Sequence, residues 1–82
     1  MNPSQDSPSP KQAQYLAFIY NYAKINGRSP AQADIQRYFG VTAPTVHRMV
    51  LKLESDGFIR RTPGVARSLE LTTDLDAIPR LE

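Results

Sequence analysis

The sequence contains no cysteine, no tryptophan and a single histidine, His47. Lack of cysteine excludes disulfide staples, thiolate metal ligands and a cysteine nucleophile. With only one histidine there is no His/Cys cluster for a structural zinc either. No apolar run approaches the roughly 20 residues needed to cross a bilayer, and the polar N-terminus lacks a signal-peptide pattern, so a soluble, cytoplasmic domain with no membrane partner is expected. Glycine is sparse. Gly27, Gly40, Gly57 and Gly64 are widely separated and form no phosphate-cradling loop. Neither an enzyme nor a cofactor is expected. His47 would be a base on an exposed helix with no pocket to exclude water, and Asp74 and Asp76 have no scaffold to hold them as a pair.

The 82 residues, 40% of them hydrophobic, suffice for one small domain with one shallow core. Charge is sorted along the chain. From Lys11 to Arg67, nine Lys or Arg residues face only Asp34, Glu54 and Asp56. From Ser68 to Glu82, Arg80 faces Glu70, Asp74, Asp76 and Glu82. A basic body with an acidic tail is the distribution expected of a polyanion binder.

Residues 1–8 are polar and proline-bearing and predict a disordered arm; 9–72 form the domain and 73–82 an acidic tail. Ser9-Pro10-Lys11-Gln12 reads as a helix start, with Ser9 as cap and Gln12 as its capping-box partner. This helix should end near Ile25 or Asn26, before Gly27, and bury Tyr15, Leu16, Phe18, Ile19, Tyr22 and Ala23. Tyr20 and Ala17 are expected on its wet side. A second helix starts at Ser29-Pro30 and ends near Phe39, closed by Gly40. The third begins at Ala43-Pro44-Thr45 and runs to Asp56, with Val46, Val50 and Leu53 pointing inward. After Gly57 the period changes to two. Residues 58–61 and 68–72 alternate as strands around the Pro63-Gly64 turn. The fold predicted is mainly α with a small β-hairpin: a three-helix winged helix-turn-helix.

On that architecture the basic residues fall where a duplex would lie. Arg48 and Lys52 are four apart and share the face opposite the buried stripe, with Thr45 on the same side. Thr45, His47 and Arg48, joined by Thr42, are the candidates for base edges in the major groove. Arg28, Lys52, Arg60, Arg61 and Arg67 are the candidates for the sugar-phosphate backbone. Double-stranded DNA is therefore the expected partner of a sequence-specific regulator. The alternative is a winged-helix protein-interaction module. Three arginines around the hairpin favour DNA, because a docking module has no need of them.

The stretch Thr45-Val46-His47, followed by Lys52-Leu53-Glu54-Ser55-Asp56-Gly57-Phe58-Ile59-Arg60-Arg61, resembles the amino-terminal DNA-binding domain of LexA-type repressors. The likeness continues through Thr62-Pro63 and Arg67-Ser68-Leu69-Glu70-Leu71. Upstream, Lys11-Gln12, Ile19, Gly27, Pro30 and Ala33-Asp34-Ile35 fall at the family's spacing. The resemblance implies a winged helix-turn-helix that reads operator DNA in the major groove and represses transcription. Three departures limit the transfer. Ala31 stands where the family usually has a capping Ser or Thr, so Ser29 is expected to cap the second helix. The turn from Gly40 to Thr45 is one residue short. The family's Ser/Lys autopeptidase domain is absent from this sequence, so self-cleavage and its dimer interface do not carry over. A monomer or weak homodimer is expected, with pairing on DNA left open.

Overall fold

The computed structural model describes residues 7–82. Most of the arm expected over 1–8 lies outside them. Three α-helices, α1 (Pro10–Asn26), α2 (Gln32–Phe39) and α3 (Ala43–Ser55), precede an antiparallel pair, β1 (Ile59–Arg60) and β2 (Glu70–Leu71). A single 3-10 turn spans Leu75–Ala77. The order is that of a winged helix-turn-helix, as the sequence predicts.

Helix α1 starts as its sequence dictates. The Gln12 N–H donates to Ser9 Oγ at 3.2 Å, and Gln12 Oε1 accepts from the Ser9 N–H at 2.9 Å, so two backbone donors at the helix start are satisfied reciprocally. Gly27 ends the helix at φ 73°, where a Cβ would be strained. Periodicity did not reveal that Gln12 is also buried, 3% exposed, with Nε2 donating to Asp56 Oδ2 at 2.9 Å. One side chain therefore caps α1 and ties its start to the end of α3.

Helix α2 corrects one expectation. Its N-cap is Ala31, not Ser29. Ser29 Oγ donates instead to the Pro30 carbonyl at 3.2 Å. Asp34, in the first turn, accepts the Ala31 N–H at 2.9 Å and does the work that the alanine side chain cannot. A carboxylate there also suits the positive end of the helix dipole. At the far end Gly40 takes φ 66° and donates to the Gln36 carbonyl at 2.9 Å, turning the chain into α3 within Val41 and Thr42.

The core lies where the three helices meet the hairpin: Leu16 and Ile19 from α1, Ile35 from α2, Val46, Val50 and Leu53 from α3, and Phe58, Ile59 and Leu69 beyond. Each such side chain, fully buried, contributes roughly 1.5–3 kcal/mol. Tyr15 stacks on Phe39 at 4.3 Å between ring centroids, closing α1 against α2. Tyr22 and Ala23, expected inside, are only half-buried because α1 runs past the core at its C-terminal end.

Two further expectations change. Ala17 is fully buried, and Tyr20 half-buried, because residues 73–82 run back along α1. Ile78 and Leu81 pack on the core, while Gln14 donates to the Arg80 carbonyl at 3.1 Å and accepts the Glu82 N–H at 2.9 Å. The hairpin ladder is also shorter than its alternation suggests, pairing only Ile59 with Leu71 and Arg60 with Glu70. Beyond Arg60 a serine replaces the ladder. Ser68 Oγ accepts the Thr62 N–H at 3.0 Å and lies 3.1 and 2.9 Å from the carbonyls of Thr62 and Val65.

The double use of Gln12 is testable. Ser9→Ala should cost about 1 kcal/mol, a cap's usual contribution. Gln12→Ala should cost about 1–2 kcal/mol more in urea unfolding, because it also removes a part-buried bond to Asp56. Equal losses for the two variants would show that the link to α3 contributes nothing.

Candidate nucleic-acid interface

The start of α3 is built by threonines. Thr42 is the N-cap and accepts the Thr45 N–H at 3.4 Å, and the Thr42 and Thr45 hydroxyls lie 2.9 Å apart. Each hydroxyl keeps hydrogen-bonding capacity beyond these contacts, since it has one donor and two acceptor sites. With Val46, Val50 and Leu53 fully buried, His47, Arg48, Leu51, Lys52 and Ser55 are exposed on the other side of the helix. Thr42, Thr45, His47 and Arg48 thus share the first two turns of one helix end, as expected. Leu51, which sequence reasoning passed over, stands 39% exposed on the same face. Its signal was available: it follows Arg48 by three residues and His47 by four, a neighbour spacing on a helix.

The remaining basic candidates are less free than their spacing implies. Lys52 Nζ lies 3.5 Å from Asp56 Oδ2, one turn on. Arg60 pairs with Glu70 across the two strands at 2.9 Å, and Arg61 pairs with Glu54 of α3 at 3.0 Å. The Arg60–Glu70 pair is exposed on both sides, and such a pair contributes about 0–1 kcal/mol. Arg28 is exposed and borders a shallow hollow with Tyr20, Lys24, Thr62 and Leu71, which no α3 residue lines. Among the described cations of α3 and the wing, Arg48 alone has no carboxylate partner.

Arg67, expected on phosphate, is turned inward. It takes φ 56°, the one non-glycine among the described residues in the left-handed region. Its Nη1 lies 3.1 Å from Asp34 Oδ2, 3.2 Å from the Tyr22 hydroxyl and 3.3 Å from the Ser29 carbonyl. The wing is thereby pinned to the end of α1 and the start of α2, a task a two-residue ladder cannot perform. Asp34 in turn holds the Ala31 N–H and pairs with Arg37 at 3.0 Å. The Ala31 N–H, then Arg37, the charge of Arg67 and the Tyr22 hydroxyl hold the Asp34 carboxyl below its ordinary range, against a smaller opposing effect of burial. The Tyr22 hydroxyl and the Asp34 charge push the Arg67 guanidinium up.

Among the described residues no group of three or more His, Cys, Asp or Glu is placed to hold a metal, and no helix is long and apolar enough to cross a membrane.

A tight turn between α2 and α3, a solvent-facing α3 and a hairpin packed against it define a winged helix-turn-helix domain. Residues 7–68 match the MarR family, and the chain belongs to that family. It is also similar to the LexA repressor of Thermosipho melanesiensis, 40% identical over 68 residues, which are 83% of this chain and 34% of that protein. The LexA repressor of Moorella thermoacetica is 36% identical over 77 residues, 93% of this chain and 38% of the relative. That of Magnetococcus marinus is 38% identical over 63 residues, 77% and 27%. The chain spans about a third of the length of these curated relatives.

The Asp34 node has a pH signature. A carboxyl held below its unfolded value, about 3.9, stabilises the fold fully above that pH and loses its contribution as pH falls through the folded value. Melting temperature should therefore fall on acidification below about pH 4. Asp34→Asn should melt lower at pH 7 and show a shallower acid decline. Arg67→Ala should lower the neutral-pH melting temperature more than Arg60→Ala, whose pair is exposed on both sides. Identical effects of the two arginine variants would contradict the inward role of Arg67.

Proposed function

We propose that this chain is the DNA-binding part of a transcriptional repressor, and that it acts by occupying a double-stranded site. Helix α3 lies in the major groove. Thr42, Thr45, His47 and Arg48 meet base edges, Arg48 through the two acceptors of a guanine. Arg28, Lys52 and Arg60 contact phosphates, and Arg61 joins them when it leaves Glu54. Arg67 holds the wing in place instead of contacting DNA. The observation that carries this reading is Arg48: an exposed guanidinium on the outward face of α3 with no carboxylate partner among the described residues, while the other cations of α3 and the wing face carboxylates. The relatives named as LexA repressors support it, each over about a third of its length. The second reading, a module that docks protein, is favoured by one fact: all three wing arginines already have intramolecular partners.

Titration of labelled duplex at several salt concentrations separates the two. With about three phosphates neutralised, the log–log slope should lie near −2 to −3, shallower than the −4 to −5 that five or six free cations would give. Glu54→Gln, which frees Arg61 to join the phosphate contacts, should steepen the slope by about one unit. Arg48→Ala should cost about 1–3 kcal/mol at a preferred site and spare binding to scrambled duplex. Absence of duplex binding at low salt would leave the docking module as the function.

A further inference from the structure

The middle of the outward face of α3 is held by a leucine. At 3.6 residues per turn, the direction opposite Val46, Val50 and Leu53 falls on Pro44, Arg48, Leu51 and Ser55, with His47 and Lys52 on the flanks. A single exposed leucine on a protein surface is ordinary. Leu51, however, shares its direction with Arg48 and lies one helical turn from His47, both hydrogen-bonding side chains. It offers the one kind of contact those two cannot make, an apolar surface.

We propose that Leu51 determines sequence preference by packing against the C5 methyl of a thymine. This rests on the placement of α3 in the major groove argued above. Of the four bases only thymine presents a methyl group there. Three residues of helix advance about 4.5 Å, against about 3.4 Å per base step, so Arg48 and Leu51 address neighbouring base pairs. The pair then reads a short step with a guanine at one position and a thymine beside it. Ser55, a further turn on, is small, polar and exposed and leaves Leu51 as the last apolar side chain of the face.

The test replaces each thymine of a duplex selected by the wild-type chain with uracil, which removes the methyl and nothing else. One replacement should weaken wild-type binding about fourfold, the effect of burying one methyl group. Leu51→Ala should bind the thymine duplex no better than the wild type binds that uracil duplex, and should no longer distinguish the two. Leu51→Met, which keeps an apolar side chain, should retain part of the distinction. Leu51 is exposed, so unchanged thermal melting is expected for either variant. A thymine-to-uracil ratio unaltered by Leu51→Ala would overturn the proposal, as would a wild type indifferent to every replacement. In those cases Arg48→Ala still abolishes site preference, so the base-reading role of α3 stands. A wild type that shows no preference between selected and scrambled duplexes overturns the groove reading itself, and this inference with it.

Discussion

Burial of Val46, Val50 and Leu53 fixes the rotation of α3 about its own axis, and every statement about its outward face follows from that. These three side chains meet Leu16, Ile19 and Ile35 from the other helices and Phe58 from the hairpin. Turning α3 by even one residue position would move valine into water and bring Lys52 in one direction, or His47 and Glu54 in the other, into the core, at a cost of several kcal/mol. The helix therefore has one orientation, and Arg48 and Leu51 are presented without any contribution of their own to holding it. Outward face and buried face are separate on the same thirteen residues.

The wing is secured by a different means. Two residues on each strand make too short a ladder to define an angle, and its tip, Thr62 to Ala66, carries no charge. Arg67 compensates from one side and Ser68 from the other. The left-handed backbone of Arg67 is unfavourable for a residue with a Cβ, and is tolerated because its guanidinium gains three acceptors on α1 and α2. The same carboxylate that receives it, Asp34, also starts α2. Wing position and the start of the helix-turn-helix thus share one side chain.

Charge pairing changes what a basic composition means. Arg60, Arg61, Arg67 and Lys52 each have a carboxylate within 4 Å, so a count of cations overstates the field available to a polyanion. The Arg60–Glu70 pair is exposed on both sides and therefore weak, whereas the Arg67 pair is embedded in a network.

The capping box of Ser9 and Gln12, the glycine stops, the stripe of Val46, Val50 and Leu53 and the switch to a two-residue period were all legible in the sequence. So was the outward direction of His47 and Arg48, since it follows from the stripe. These features depend on neighbours within one or two turns, where backbone geometry alone sets which side chains share a direction. The cap of α2 was not legible: the spacing pointed to Ser29, whereas the helix starts at Ala31 because its N–H is satisfied by Asp34, three residues on. What only the tertiary structure decided is which polar groups are already taken. Gln12 meets Asp56 from 44 residues away, Arg67 meets Asp34 from 33, and the last residues return to Gln14 from 66 and 68. Such bonds form at about 3 Å and need near-linear geometry, so they exist only once packing has placed both partners, and no local pattern in the chain records them.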